Sequence, residues 1–228
     1  METYCYIQKN YQNLISEIAD FEKKLNSKIT LVAVTKSADD EELMALCSLG
    51  CTDIGENRPG ELKRRGELLF SRGFSPVLHQ IGHLQTNKVK YIIESAGLIH
   101  SLDSLSLAKE IDRRAASVGR RVPVLIEINS AREEQKGGIL PEAAEEFFLA
   151  VKSFPNIDVS GLMTMGPVCE GEEIRRYFSE TKEIFDKLKM RYGFVGDGIL
   201  SMGMSESYRI AIEEGANLVR VGRKLFNK

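Results

Sequence analysis

Two periods alternate along the chain. Ile7, Tyr11, Leu14, Ile15, Ile18, Phe21 and Leu25 recur at three- and four-residue steps, which predicts an amphipathic leading helix. Thr30–Thr35 (TLVAVT) is then a short β-branched run, and a helical pattern from Asp39 to Leu49 stops at Gly50. The same grammar continues to the end of the chain. Further strands are predicted at 51–54, 76–79, 98–101, 121–128, 158–163, 198–201 and 217–221, with helices at 59–70, 87–95, 104–118, 141–153, 174–188 and 205–214 between them.

Eight strands alternating with helices imply a parallel sheet, and near-continuous apolar strands such as Arg121–Ile128 (RVPVLIEI) imply a sheet covered on both faces. Eight units in little more than 200 residues fit a compact (β/α)8 TIM barrel better than an open doubly wound sheet, which is the second choice. No Pro- or Ser-rich linker interrupts the pattern. Residues 1–228 are therefore expected to form a single domain, with the leading helix (residues 1–28) packed on the barrel.

Composition narrows the function classes. The 31 Lys and Arg against 33 Asp and Glu leave a net charge of −2, which gives no electrostatic footprint for nucleic acid or an anionic membrane. Small molecules are the first partners to consider. The opening Met-Glu-Thr-Tyr-Cys-Tyr lacks a basic and then apolar leader, and no apolar run approaches the ~20 residues of a membrane span; a cytoplasmic protein is expected. Of the four cysteines (Cys5, Cys47, Cys51, Cys169), Cys47 and Cys51 are spaced to share a helix face, half of a metal site that no further His or Cys completes. Small buried thiols are the expectation, and no metal.

In a parallel barrel the C-terminal strand ends build the site. Here they carry Lys36, Gly55-Glu56-Asn57, His79-Gln80-Ile81-Gly82-His83, Asn129, Met163-Thr164, Ser201, and Arg220 with Gly222. Lys36 directly follows an apolar strand. It is either an ordinary surface lysine or an amine held short of water at the mouth and free for Schiff-base chemistry. In Ser201-Met-Gly-Met-Ser205, Gly203 permits close backbone approach and Ser205 is placed to cap the next helix, where a phosphate also fits. Barrels commonly bind phosphate after strands seven and eight. A lysine at strand one and a phosphate cradle at strands seven and eight ask for a ligand with a carbonyl and a phosphate, such as pyridoxal 5′-phosphate (PLP) or a sugar phosphate.

Ala33-Val-Thr-Lys36, Gly55-Glu-Asn57, His79-Gln-Ile-Gly-His-Leu-Gln-Thr-Asn-Lys88, Gly161-Leu-Met-Thr-Met165, Leu200-Ser-Met-Gly-Met-Ser205 and Gly215-Ala-Asn-Leu-Val-Arg-Val-Gly222, in this order and over nearly the whole chain, resemble the pyridoxal-phosphate homeostasis protein family. This family, also called YggS or PROSC, is related to the barrel of alanine racemase. The resemblance implies a fold-type-III barrel holding PLP as a Schiff base on Lys36. It further implies that Arg220 faces the pyridine nitrogen, that Ser205 and the backbone N–H groups of Gly222 and Arg223 bind the phosphate, that Asn57 lines the ring, and that Ser201 and Gly203 shape the phosphate loop. Two places depart from the family's pattern. Arg223 stands where a threonine is usual, which removes one phosphate hydrogen bond unless the guanidinium compensates. The loop Asn129–Gly138 keeps the Glu and Lys-x-Gly spacing but differs around it.

An arginine at the pyridine nitrogen does not readily give up its proton, so the ring is a poorer electron sink than one held protonated by a carboxylate. Racemisation also needs two bases. Lys36 can serve one face; related racemases take the other from a tyrosine of a second domain across a dimer, and this chain stops at Lys228, eight residues after Arg220. Its own tyrosines lie at 4, 6, 11, 91, 177, 192 and 208, with Tyr208 nearest the phosphate loop. His79 and His83 are expected beside the cofactor and His100 in a structural role. The reading is a non-catalytic PLP-binding protein of PLP homeostasis, exchanging PLP with apo-enzymes or free amino acids and existing as a monomer or weak dimer. The alternatives are a low-activity PLP-dependent amino-acid racemase and, outside PLP chemistry, a Schiff-base aldolase.

Overall fold

The computed structural model describes residues 4–167, 169 and 171–228. Its strands are β1 (Thr30–Val34), β2 (Asp53–Glu56), β3 (Val77–Gln80), β4 (Leu98–Leu102), β5 (Val122–Glu127), β6 (Ile157–Met163), β7 (Ile199–Ser201) and β8 (Leu218–Val221). They pair in sequence order, all parallel, and β8 closes on β1 with Val32 opposite Arg220 and Ala33 opposite Val221. This is a TIM barrel. The helices are α1 (Cys5–Leu25), α2 (Asp40–Ser48), α3 (Pro59–Ser71), α4 (Leu105–Ser117), α5 (Ala144–Lys152), α6 (Arg175–Tyr192), α7 (Tyr208–Glu213) and α8 (Arg223–Phe226).

The period-two strands sort their side chains between two cores. A large one lies between sheet and helices, and a small one inside the barrel is made of Val32, Ile81, Leu98, Leu125, Met163 and Leu218. Helix α1 buries Ile7, Leu14 and Ile18, and Asn10 donates to the carbonyls of Leu225 (3.2 Å) and Asn227 (2.9 Å), which holds the leading helix over the chain's end. Helix α2 opens with a capping box between Asp39 and Glu42. No helix among the described residues is long and apolar enough to cross a membrane.

Three sequence expectations need correcting. The segment read as a helix at 87–95 is a 3-10 helix, Thr86–Tyr91, since a run built on Thr, Asn, Val and Tyr is too short and too weak in propensity for a stable α-helix. Cys51 lies beyond Gly50, so it shares no helix face with Cys47; both thiols are buried, which pushes Cys47 to about 11 and Cys51 to about 12. Finally, α7 begins at Tyr208, so Ser205 is not its N-cap.

Candidate functional site

Strand β1 ends at Val34 and runs into a turn closed by the Ala38 N–H donating to Thr35 O at 2.9 Å. Lys36 and Ser37 are the two middle residues of that turn and both are exposed. Lys36 is thus exposed at the mouth rather than held short of water.

The loops after β7 and β8 pack beside this turn. Gly203 has φ +86°, and a Cβ there would fall 2.6 Å from Ala211 Cβ and 2.8 Å from Tyr208 Cα, so only glycine fits. Its carbonyl accepts the Arg220 N–H at 3.1 Å. A Cβ on Gly222 would fall 2.9 Å from Val34 O, which shows how closely the last loop approaches the end of β1. Freed from capping duty, the buried Ser205 hydroxyl accepts the Gly222 N–H at 3.3 Å. Arg223 follows at the start of α8 with its side chain exposed and 3.6 Å from Glu206. Tyr208 is fully buried, 3.4 Å from Lys224 Nζ, and is pushed up to about 12 by burial and then by Glu17 of α1. It faces the leading helix.

Inside the barrel a hydrogen-bond chain crosses from β8 to β2. Arg220, 3% exposed, donates from Nη1 to Ser201 Oγ and from Nη2 to Thr164 O (3.0 Å). Ser201 Oγ is 3.1 Å from His100 Nδ1, His100 Nε2 is 2.9 Å from His79 Nδ1, and His79 Nε2 is 2.9 Å from Asp53 Oδ1. A guanidinium only donates and a carboxylate only accepts, so Ser201 Oγ accepts from Arg220 at one end and Asp53 accepts from His79 Nε2 at the other. Burial holds His100, in the middle, well below the usual histidine range, with His79 and Arg220 adding to the effect. Burial also lowers Arg220, to about 10, and Glu127 opposes the shift. It remains a cation near neutral pH. The Ser201 hydroxyl thus lies between Arg220 and His100, at the start of the loop that carries Gly203 and Ser205, and His79 lies within the barrel rather than at its mouth.

Two cavities flank the mouth. One of about 380 Å³ lies over β5 and β6, lined by Glu127, Ser130, Lys136 and Thr164 among others. The Glu127 carboxylate has no hydrogen-bond or ion-pair partner among the described residues; burial first, then Asp103, raises it to about 7. The other, about 500 Å³, is lined by Asn57, Arg58, His83, Lys88 and Tyr91. Asn57 is held through its carbonyl by Gln80 Nε2 at 3.0 Å, and His83 is 65% exposed against Asp103 at 3.2 Å. The loop after β8 thus lies against the end of β1, just ahead of the Lys36 turn, and is joined to the loop after β7 through Gly203 and Ser205, while Asn57 lines the second cavity.

Residues 10–227 match the family model described as the N-terminal domain of alanine racemase. The chain is 42% identical over 199 residues to the pyridoxal phosphate homeostasis protein of Aquifex aeolicus, covering 87% of this chain and 86% of that one. This chain belongs to the pyridoxal phosphate homeostasis protein family. Among solved structures it is similar to an unknown protein from Bifidobacterium adolescentis (33% identity, TM-score 0.89, 98% of this chain and 95% of that chain). It is also similar to PipY of Synechococcus elongatus with PLP bound (26% identity, TM-score 0.85, 97% and 100%).

Within this homeostasis-family barrel, His100, expected in a structural role, belongs to the chain that holds Arg220, turned inward with Leu98 by the period-two pattern of β4. Two groups escaped the sequence reading. Glu127 is the polar end of an otherwise apolar β5. Arg65 sits on the stripe Leu62, Gly66, Leu69 that α3 buries, where a charged residue is out of place.

Proposed function

We propose that the chain binds PLP at the C-terminal mouth of its barrel, with Lys36 as the point of covalent attachment, and takes part in PLP homeostasis without robust catalysis. The observation that carries this is the convergence of the Lys36 turn, the Ser205–Gly222 pair and buried Arg220 where β8 closes on β1. The residues fit the group. A buried hydroxyl and a backbone N–H face each other at 3.3 Å, at the long end for such a bond, so phosphate oxygens can replace it at small cost. Gly203 and Gly222 let these two loops pack closely on Tyr208 and on Val34, which sets the backbone N–H groups in place. Arg220 has five donors and gives one N–H each to Ser201 and Thr164, so others are left for an acceptor such as a pyridine nitrogen.

When bound, PLP supplies an aldehyde that condenses reversibly with an amine, losing water. Lys36 provides that amine, exposed and close to the phosphate side. Ser205 and the N–H groups of Gly222 and Arg223 hold the phosphate, and Asn57 borders the ring. Arg220, donor only and fixed from behind by Ser201, offers the ring nitrogen a hydrogen bond without giving up its proton, which limits carbanion chemistry and favours holding over turnover. Exchange of PLP with apo-enzymes or free amines follows from a reversible attachment at an exposed turn.

Absorption spectroscopy tests the reading. Added PLP should give an amine-dependent visible band that Lys36→Ala abolishes; a band unchanged in that variant would overturn it. In heavy water, exchange at Cα of L- and D-amino acids should be absent or very slow, and sustained turnover would make the protein a racemase.

A further inference from the structure

We infer that Arg65 is a positioning residue for Lys36, gripping both ends of its turn and tying it to the strand end that carries Asn57. The inference rests on Lys36 being the attachment residue. Arg65 projects from α3 with its side chain 6% exposed. Its Nη1 donates to Thr35 O at 2.5 Å and its Nη2 to Ala38 O at 2.7 Å, the two carbonyls that bracket Lys36 and Ser37. Nη1 is also 2.9 Å from Glu56 Oε1, and the same oxygen accepts the Thr35 hydroxyl at 2.5 Å. Glu56 is the residue before Asn57 and is itself buried.

A guanidinium is costly to bury, and the geometry shows what the burial achieves. The two middle residues of the turn are exposed, so they are held through its buried ends, Thr35 and Ala38. The planar fork of Arg65 spans its two terminal carbonyls, and a lysine, a single point charge, cannot do so equally well. α3 lies close enough for this because Gly66 lets it approach β3; a Cβ there would fall 2.5 Å from Leu78 Cδ1. The Lys36 amine is left free to move in solvent while its Cα is held. Misplacing a reacting group by about 1 Å costs on the order of 100-fold in rate.

A purely structural Arg65 would glue α3 to the sheet and affect all binding alike. A positioning Arg65 affects only what Lys36 does. The test compares Arg65→Met combined with Glu56→Gln, which removes both buried charges together, and Arg65→Lys, which keeps the charge but not the fork. Three readouts are taken: amide exchange of Ala38 in cofactor-free protein, the rate of covalent PLP capture trapped by borohydride, and binding of pyridoxine 5′-phosphate, which has an alcohol in place of the aldehyde. In the double variant, capture should slow roughly 10- to 100-fold, Ala38 should exchange faster, and pyridoxine 5′-phosphate should bind as in wild type; Arg65→Lys should fall between. Wild-type capture in a cooperatively folded double variant, or equal loss of capture and pyridoxine 5′-phosphate binding, overturns the inference. Should the double variant not fold, the same two outcomes decide in Arg65→Lys. If borohydride marks a lysine other than Lys36 in wild type, the proposed function fails instead, and Ala38 exchange still reports on the grip.

Discussion

The barrel buries two arginines near its C-terminal mouth, Arg65 between sheet and helix and Arg220 inside the strands. Arg65 faces a carboxylate at 2.9 Å and two carbonyls, so its charge is matched and most of its donors are taken. No carboxylate among the described residues forms an ion pair with Arg220; it gives two bonds, to a hydroxyl and a carbonyl, and burial draws it down to about 10. One arginine is balanced and holds the backbone. The other is placed at a cost in solvation and has no buried counter-charge, as the proposed contact with a ligand would require. The contrast teaches that burial alone does not distinguish the two charges; Arg65 has a buried counter-charge in Glu56, even though its Nε lacks a hydrogen-bond partner, and Arg220 has none among the described residues.

The largest difference should appear in stability. Arg65→Ala strands Glu56 in the interior and should cost about 3–5 kcal/mol, read from urea denaturation. Arg220→Met loses only two hydrogen bonds and relieves a buried cation, so it should cost less than about 2 kcal/mol. Equal losses would break the comparison. The acid side of the interior gives the next effect. Glu127 is raised from its ordinary 4.5 to about 7, so the folded protein binds a proton that the unfolded chain releases. Its stabilising contribution is full below pH 4.5 and lost as pH rises through 7. Glu127→Gln should therefore stabilise by about 2 kcal/mol more at pH 8 than at pH 5, and a pH-independent difference would show that its carboxyl is not held neutral. His100, lowered by burial, has the opposite sign: stability is full above 6.5 and falls as pH drops below it. The smallest effect belongs to Ser205→Ala, expected to speed PLP release by the equivalent of about 1–2 kcal/mol while leaving the covalent attachment possible. An unchanged release rate would move the phosphate elsewhere.

Much of this was legible in the chain. Eight apolar runs separated by helical stripes specify the barrel, because strand burial and connection length are local properties. Lys36, Ser205 and Arg220 could be singled out in the chain because they stand at or just beyond strand ends, where a barrel puts its chemistry. Arg65 was hidden because Glu-Leu-Lys-Arg-Arg-Gly-Glu reads as a solvated helix until the spacing from Leu62 to Leu69 is followed. The bonds joining His79, His100 and Ser201 link strands that are far apart in sequence, and only barrel closure brings β4 and β7 face to face. Ser205 was misassigned as a cap because a helix start and a loop hydroxyl share the same local signature.

Mass spectrometry of the wild-type protein after incubation with PLP and borohydride reduction addresses the account directly. It predicts one reduced pyridoxyl phosphate adduct on the peptide containing Lys36, lost in Lys36→Ala and retained in Arg220→Met. An adduct on Lys88, Lys136 or another lysine, with the Lys36 peptide unmodified, would contradict it.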